Sequence, residues 1–326
     1  MKEPTPKLYP LKFDPIFKKK VWGGDKLNLI LNKKEKGNIG ESWEISDVDD
    51  NISVVSNGAL KGRNIEWLIS TYKEALVGEE VYREFGDKFP LLFKFIDAKE
   101  DLSVQVHPGD HLAKKRHNSF GKTEMWYVLD GEKDSRLILG FKDKISSDEY
   151  MKALSENKIV DLLNSEKVQK GDAFIINTGT VHAIGAGVLL AEIQQTSDIT
   201  YRIYDWDRPD TDGNMRELHT GLAMDAIDFS PSKSKLKYKV QINLPVRIGK
   251  TPFFEVNKLT LSKPFNRSLS SIPSFKVYMC LEGQADIECE GFYGQIEKGE
   301  TILVPAQINE ITFNTSSASF LEVYIP

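Results

Sequence analysis

The sequence predicts a mainly β protein built from two β-barrels with short helical insertions. Two observations predict this fold class. Short apolar segments follow one another at even spacing with turn residues between them, which favours an antiparallel sandwich or barrel over a parallel α/β sheet. In addition, one pattern of glycine spacing occurs in both halves of the chain.

The strands are predicted from alternation and from short apolar runs. The segment 41–46 alternates polar and apolar residues, as expected of a strand with one buried face. Further runs bounded by turn residues predict strands at 89–106, 125–141 (hinged at Asp130-Gly131), 173–176, 189–194 and 200–204, and from about residue 235 to the end.

Two segments interrupt this pattern with helical periodicity. In residues 64–86, Ile65, Leu68, Ile69 and Tyr72 recur at three- and four-residue steps, which indicates an amphipathic helix. Residues 147–165 show a similar apolar spacing and predict one or two short helices. We therefore expect a first domain at 1–234 with insertions at about 64–86 and 147–165, and a second domain at 235–326.

Composition narrows the function classes. The 326 residues carry a net charge of −5 with acidic and basic residues intermixed, so the charge predicts neither nucleic-acid binding nor membrane binding. No run approaches the ~20 apolar residues of a membrane span, and the N-terminus lacks a secretory pattern. The two cysteines, Cys280 and Cys289, are expected to be reduced thiols. A cytoplasmic protein is expected, either a monomer or a weak homodimer.

Polar side chains share faces of two predicted strands. Residues two apart in a strand point the same way, so Ser103, Gln105 and His107 lie on one face, and Lys122 and Glu124 lie on one face of another strand. If both faces point into a barrel, unpaired groups of this kind would cost several kcal/mol each. A purely structural core would not contain them, so they indicate a functional interior.

A second segment supplies a further metal ligand. Gly171 and Gly179 bracket a strand and the turn that returns His182 to the interior. Gln105, His107, Glu124 and His182 together offer two nitrogens and two oxygens, a set suited to zinc and tolerable for other divalent metals. An open coordination position for substrate is expected.

These residues resemble the two motifs of the cupin superfamily. The first motif is Gln105-x-His107, followed by Glu124 and Gly131, and the second runs from Gly171 to His182. Most metal cupins have histidine where Gln105 stands. The segment 102–108 is instead similar to the type I mannose-6-phosphate isomerases. Other segments that resemble this family are Trp22-Gly23-Gly24, 40–43, 122–127, 179–185, 192–195 and Ser197-Asp198-x-x-x-Arg202.

The resemblance implies a fold, a reaction and a cofactor. It implies cupin barrels of the jelly-roll type and interconversion of mannose 6-phosphate and fructose 6-phosphate through an enediol. It also implies one divalent metal ion per chain, expected to be zinc, with a sugar phosphate as the substrate. The donor set contains a single carboxylate, so a bound dication would keep excess positive charge and act as a Lewis acid.

The resemblance also suggests roles for individual residues. It implies phosphate binding by Ser103, Lys94 and Lys122, and it places Glu192 in a family motif. The rigid fork of donors on Arg202 suits binding of the phosphate or of the reacting oxygens, so we expect catalysis by Glu192, Arg202 and Lys122. Glu192 is the first candidate for the proton-transferring base, with a water-derived base at the metal, groups near His107 and Lys122 as competitors.

A purely structural interpretation is also open for several of these residues. Lys94 could be a surface lysine, Arg202 could form a structural ion pair with Asp198, and Glu192 could merely pair with a cation. Large aromatic residues are more often core than ligand contacts, so we expect Trp22 and Trp43 to be core.

The second half repeats the motif without its ligands. Gly299, Pro305 and Glu310 repeat the spacing of the second motif, and Lys276 stands before Gly283 as Glu124 stands before Gly131. With Lys276 and Glu310 at the ligand positions, the second domain is expected to be a degenerate cupin that binds no metal.

Two other functions are compatible with parts of the pattern. A different metal cupin enzyme, such as an iron dioxygenase, would commonly carry two histidines in the first motif, and Gln105 argues against it. A non-catalytic sugar-phosphate-binding or regulatory cupin would keep the metal ligands without turnover. The presence of Glu192, Asp198 and Arg202 argues against this second alternative.

Overall fold

The computed structural model describes residues 6–35 and 37–326, and strands dominate it. In chain order the strands are β1 Leu11–Lys12, β2 Ile16–Gly24, β3 Ile39–Ile45, β4 Asp47–Val48, β5 Asn51–Ile52, β6 Leu91–Ala98, β7 Val104–Val106, β8 Glu124–Gly131, β9 Arg136–Phe141, β10 Leu163–Lys167, β11 Ala173–Ile176, β12 His182–Ile184, β13 Val188–Gln195, β14 Tyr201–Tyr204, β15 Pro245–Lys250, β16 Glu255–Leu261, β17 Phe265–Ser268, β18 Lys276–Cys289, β19 Phe292–Glu297, β20 Thr301–Val304, β21 Glu310–Asn314 and β22 Ala318–Tyr324. The predicted mainly β class is confirmed.

The helices are short and lie between strands. They are α1 Lys26–Leu31, α2 Ile65–Tyr72, α3 Glu74–Val77, α4 Glu79–Phe85, α5 Asp110–His117, α6 Ser147–Ser155, α7 Ile159–Leu162 and α8 Thr220–Met224. Helices α2 to α4 lie within the predicted insertion at 64–86. The one at 147–165 is α6 and α7, after which the chain enters β10. None of the helices in the described residues is long and apolar enough to cross a membrane.

The first half forms two antiparallel sheets around an apolar core. One sheet has the order β11-β8-β13-β6-β2-β3, and the other has the order β10-β9-β12-β7-β14. Side chains from both sheets meet in one buried cluster that includes Trp126, Phe174, Leu139 and Ile184. Buried residues of β7 and β14 on the opposite face of the second sheet pack against residues of α6, α7 and α8. The metal-ligand candidates of β7, β8 and β12 are therefore brought together between two layers.

The second half is built on the long strand β18. Its first part pairs with β20 and β22, and its last part pairs with β19 and β21, so one strand runs through both layers of this unit. A separate buried cluster, which includes Tyr278, Phe313 and Phe320, fills the space between the layers. In the described chain the strand orders of both halves stay open rather than closing into barrels, and the arrangement is the two-layered one of a jelly roll.

The two halves pack sheet against sheet. The outer face of the first six-stranded sheet contributes Phe93, Met125 and Tyr127 to a large buried cluster, to which the second half contributes Met279 and Leu321. In addition, β1 pairs with β20, so the start of the chain belongs to the sheet of the second half. The division at residue 234 stays a prediction.

The internal repeat is visible in the strand register. Glu124 on β8 lies opposite Gln194 on β13, and Lys276 on β18 lies opposite Tyr324 on β22. The pair β8 and β13 in the first half thus corresponds to the pair β18 and β22 in the second half. Lys276 occupies the place in the second half that Glu124 has in the first.

Candidate active site

Three predicted ligands converge in the first half. His107 follows β7, Glu124 begins β8 and His182 begins β12. His107 Nε2 lies 3.3 Å from Glu124 Oε1, and His182 Nε2 lies 3.8 Å from Glu124 Oε2. The potential ligand atoms of the three residues all lie within 4.8 Å of one another, and all three side chains are buried. This cluster can hold a metal ion.

Gln105 completes the group of four. Strand pairing places Gln105 directly opposite His182, and its Nε2 lies 3.3 Å from His182 Nε2. Rotating the amide by 180° exchanges its nitrogen and oxygen and would present Oε1 at the same place. The amide is thus next to the cluster and can supply a neutral oxygen ligand.

The turn before His182 explains how the chain returns to this centre. Gly179 has a φ of +86°, and a Cβ built there would lie 2.9 Å from the carbonyl oxygen of Ala226. Its N–H donates to the carbonyl of His107 at 3.0 Å, which ties the turn to the other histidine. Both the left-handed conformation and the close backbone contact favour glycine at this position.

Both imidazoles present a lone pair to the centre. His107 Nδ1 lies 2.8 Å from the carbonyl oxygen of Ile199, and His182 Nδ1 lies 2.8 Å from that of Thr180. Because a carbonyl only accepts hydrogen bonds, each Nδ1 carries the proton and each Nε2 is left with its lone pair. Burial lowers the pKa of His107 to about 3, helped by Lys122, and burial also lowers the pKa of His182.

The polar atoms of the cluster fit a bound cation. His107 Nε2 and both carboxylate oxygens of Glu124 are buried without a hydrogen-bond partner among the described residues. Burial raises the pKa of Glu124, but the neighbouring Lys122 and His107 outweigh it and hold the pKa below its usual range. Acceptor atoms that face one another in a dry interior are costly unless a cation lies between them. Two imidazoles, a carboxylate and an amide suit a divalent transition metal.

A polar cavity of about 380 Å³ opens beside this centre. All six of the remaining predicted site residues line it: Lys94, Ser103, Gln105, Lys122, Glu192 and Arg202. Trp22 and Trp43 are buried, as expected of core residues, yet each also lines the cavity wall. A volume of this size accommodates a small polar ligand.

Glu192 is fixed in the cavity wall by two neighbours. Its Oε1 accepts from Lys94 Nζ at 2.9 Å, and its Oε2 accepts from the indole N–H of Trp126 at 2.8 Å. The register of β13 with β6 and β8 places these three residues side by side. Burial and the nearby Glu124 raise the pKa of Glu192. The surface interpretation of Lys94 is wrong, because its side chain is only 5 % exposed.

Lys122 lies at the metal end of the cavity. It is buried, and its Nζ lies 3.3 Å from Glu124 Oε1. Its ammonium therefore faces both the candidate centre and the cavity.

Arg202 carries a charge that no carboxylate among residues 6–35 and 37–326 neutralises directly. It lies opposite Gln105 on the neighbouring strand, and its Nη1 donates to the carbonyl of Glu217 at 2.8 Å. Its Nε is buried without a hydrogen-bond partner, and it forms no ion pair with Asp198 or any other described acid. The structural ion pair weighed as an alternative is therefore absent from the described residues.

Several cavity residues escaped the sequence interpretation. Lys18 and Lys20 line the cavity from β2, and their two-residue spacing on one strand face was a signal that could have found them. Arg216 also lines the cavity, but it comes from the stretch between β14 and α8, which has no periodic pattern. Its partner Asp205 is buried.

Comparison with known proteins adds the family. Residues 11–137 match the profile for "Phosphomannose isomerase type I, catalytic domain", and residues 248–325 match that for "Mannose-6-phosphate isomerase, cupin domain". Mannose-6-phosphate isomerase ManA of Bacillus subtilis is 35 % identical over 92 % of this chain and 94 % of its own length. The probable mannose-6-phosphate isomerase GmuF of the same organism is 34 % identical over 93 % of this chain and 96 % of its own length.

A solved structure shows the same architecture. The crystal structure of the mannose 6-phosphate isomerase from Bacillus subtilis superimposes with a TM-score of 0.87 at 30 % identity, covering 97 % of this chain and 99 % of that chain. The predicted cupin fold is confirmed by this match and by the matched cupin profile. The chain belongs to the type I mannose-6-phosphate isomerase family.

Proposed function

We propose that this chain interconverts mannose 6-phosphate and fructose 6-phosphate through an enediol, with a metal ion held by Gln105, His107, Glu124 and His182. The observation that carries the proposal is the buried His107, Glu124 and His182 cluster beside a polar cavity rich in basic residues, in a member of the type I mannose-6-phosphate isomerase family. The cavity supplies positive charge for an anionic substrate although the whole chain has a net charge of −5.

We infer that the metal is zinc, one ion per chain. Two neutral imidazoles, a neutral amide and one carboxylate match the ligand preferences of Zn²⁺. When bound, the ion supplies Lewis-acid polarisation of the substrate carbonyl, because a single carboxylate leaves it with excess positive charge.

We infer that Glu192 transfers the proton between C2 and C1. Its position in the cavity wall, its burial and its raised pKa suit a carboxylate that accepts and returns a proton. Lys94 and Trp126 hold its two oxygens, which fixes the direction in which the carboxylate faces the cavity. Lys94 therefore positions Glu192 and also adds positive charge to the cavity.

We assign the remaining predicted residues by their place along the cavity. Lys122 lies beside Glu124 and is placed to stabilise charge on the reacting oxygens. Arg202 lies on β14, Ser103 directly precedes the neighbouring strand β7, and both line the cavity. There they can bind the phosphate or the sugar hydroxyls. Lys94 and Lys122 add positive charge for the phosphate.

A coupled assay of fructose 6-phosphate formation from mannose 6-phosphate tests the function. Glu192→Gln is expected to lower kcat by about 10²- to 10⁴-fold, the usual contribution of a general base, with metal content unchanged. The matched control is Glu44→Gln, because Glu44 is also a buried glutamate paired with a lysine but does not line the cavity.

The outcomes separate the proposals. A wild-type protein that contains metal but yields no fructose 6-phosphate would reject the isomerase function. Near-normal turnover of the Glu192→Gln variant would reject Glu192 as the base. If Arg202→Ala kept wild-type kcat and KM, the role of Arg202 would be rejected in turn.

We further propose a cytoplasmic location and a monomer or weak homodimer. Light scattering across a range of protein concentrations tests the oligomeric state. A concentration-independent tetramer would contradict it.

A further inference from the structure

We propose that Arg216, held in place by Asp205, is a second phosphate-binding residue that acts beside Arg202. This inference rests on the proposed function and extends it to a residue outside the recognised motifs. The ligand class is the phosphate monoester dianion of an open-chain sugar.

Asp205 fixes the orientation of Arg216. Arg216 Nε donates to Asp205 Oδ2 at 2.6 Å, and Arg216 Nη2 donates to Asp205 Oδ1 at 2.5 Å. Asp205 is buried and directly follows β14, the strand that carries Arg202. Two bonds to one carboxylate lock the planar guanidinium, so one strand end positions both arginines.

The remaining nitrogen of Arg216 is available to a ligand. Asp205 occupies Nε and Nη2, and Nη1 has no hydrogen-bond partner among residues 6–35 and 37–326. The side chain is 15 % exposed and lines the cavity. A rigid donor in a cavity wall can bind an anion with little loss of side-chain freedom.

The other cations of the cavity are largely engaged. Lys20 lies 3.3 Å from Glu41, and Lys94 lies 2.9 Å from Glu192. Lys122 Nζ lies 3.3 Å from the metal-ligand candidate Glu124. Of the described residues, none with a carboxylate pairs with Arg202 or Lys18, and Arg216 is close enough to Arg202 for its charge to lower the pKa of Arg202.

Arg202 and Arg216 also influence each other. Burial lowers the pKa of Arg202, and the charge of Arg216 lowers it further. Two guanidinium groups in proximity repel each other, and a dianion bound between them would remove that repulsion. Because Arg202 lies opposite Gln105 on the adjacent strand, a phosphate at the two arginines would share the cavity with a metal-ligand candidate.

The test compares variants of the full-length, metal-loaded enzyme. Calorimetric titration with mannitol 1-phosphate, an acyclic sugar phosphate without a carbonyl, measures binding without turnover, and the coupled assay measures kcat and KM for mannose 6-phosphate. Arg216→Gln is expected to weaken binding and to raise KM by about tenfold or more, as for loss of a charged hydrogen bond, with kcat within about twofold of wild type. Arg216→Lys keeps the positive charge but lacks the planar guanidinium, so its loss of binding affinity is expected to be intermediate.

Arg208→Gln is the matched control. Arg208 Nη2 also contacts Asp205 Oδ1, at 3.5 Å, but Arg208 does not line the cavity, so its variant is expected to bind the phosphate as wild type does. Lys18→Gln tests the opposite wall, because Lys18 lines the cavity and forms no ion pair with a described acid.

Several results would overturn the inference. These are wild-type affinity in Arg216→Gln, an equal loss in Arg208→Gln, a larger loss in Lys18→Gln, or a fall in kcat at unchanged KM. If Arg216→Gln does not fold, wild-type affinity in Arg216→Lys overturns it. A wild-type enzyme that neither isomerises mannose 6-phosphate nor binds mannitol 1-phosphate would instead reject the proposed function.

Discussion

At the scale of single residues, Gln105 sets the charge of the proposed metal site. It stands next to two imidazoles that burial keeps neutral, so Glu124 is the only anionic ligand in the group. A neutral amide leaves the dication more electrophilic than a second carboxylate would. The donor set thus favours stabilisation of an enediolate oxygen over tighter metal binding.

Gln105→Glu tests this charge argument. The variant is expected to keep its metal, because the new carboxylate is a stronger ligand, but to lose at least about tenfold in kcat because the second anion reduces the positive charge. Metal analysis and the coupled assay on the same sample check both parts. A fully metallated Gln105→Glu variant with wild-type kcat would contradict the charge argument.

The closeness of the candidate ligands could be predicted, in part from strand alternation and in part from the resemblance to the cupin motifs. Gln105 and His107 are two apart, and their side chains had to share a face. The tautomers of the histidines could not be predicted, since they depend on the carbonyl groups of Thr180 and Ile199. Arg216 could not be predicted because an irregular segment has no period that relates sequence to side-chain direction.

At the scale of elements, a buried carboxylate joins the short strand β4 to the start of β6. Asp47 Oδ2 accepts from the N–H of Phe89 at 2.7 Å, while Oδ1 is buried with no hydrogen-bond partner in the described chain. Burial raises the pKa of Asp47 to about 6. The folded state therefore binds this proton more tightly than the unfolded state does.

The stability of this junction should depend on pH. The pKa of Asp47 in the folded state lies above the unfolded value of 3.8. The contribution of Asp47 to the free energy of unfolding is therefore most favourable below about pH 4 and is lost as the pH rises through about 6. At about 1.4 kcal/mol per pKa unit, the loss is roughly 3 kcal/mol. Urea unfolding measures the free energy of unfolding of the wild type and of Asp47→Asn from pH 4 to pH 7. The wild type is expected to lose stability relative to the variant as the pH rises.

Asp49→Asn is the control for that measurement. Lys88 Nζ lies 3.7 Å from Asp47 Oδ1 and 3.4 Å from Asp49 Oδ1, but the side chain of Asp49 is 94 % exposed. Its variant should follow the wild-type pH dependence. Parallel curves for wild type and Asp47→Asn would show that Asp47 does not hold a raised pKa.

Helix prediction succeeded where an apolar stripe exists. Ile65, Leu68 and Ile69 are fully buried on α2, so their spacing in the sequence corresponds to one buried face of this helix. Helix α5 was missed because only Ala113 of its residues is buried and, apart from Leu112, the rest of the segment is charged or polar. Such a helix is fixed by its surroundings and leaves no apolar period.

At the scale of the whole molecule, the two halves are mutually dependent. The first half covers the outer face of its six-stranded sheet with the sheet of the second half, and β1 crosses over to pair with β20. Either half alone would expose a large apolar surface. The second half thus covers apolar surface of the half that contains the candidate metal cluster.

A fragment of residues 1–234 tests this dependence. It is expected to aggregate or to remain unfolded, because Met125, Tyr127 and their neighbours on that face would be exposed to water. Size-exclusion chromatography and circular dichroism provide the readout, and the full-length protein prepared in parallel is the control. A monomeric, folded fragment would show that residue 234 ends an independent domain.

The most direct test of the account is the metal content of the protein set against its isomerase activity. Elemental analysis by mass spectrometry should find about one zinc ion per chain in the wild type, and mannose 6-phosphate turnover should fall with the ion on chelation and return with added Zn²⁺. His182→Ala should contain less metal and less activity in proportion. Full activity in protein stripped of divalent metal would contradict the account.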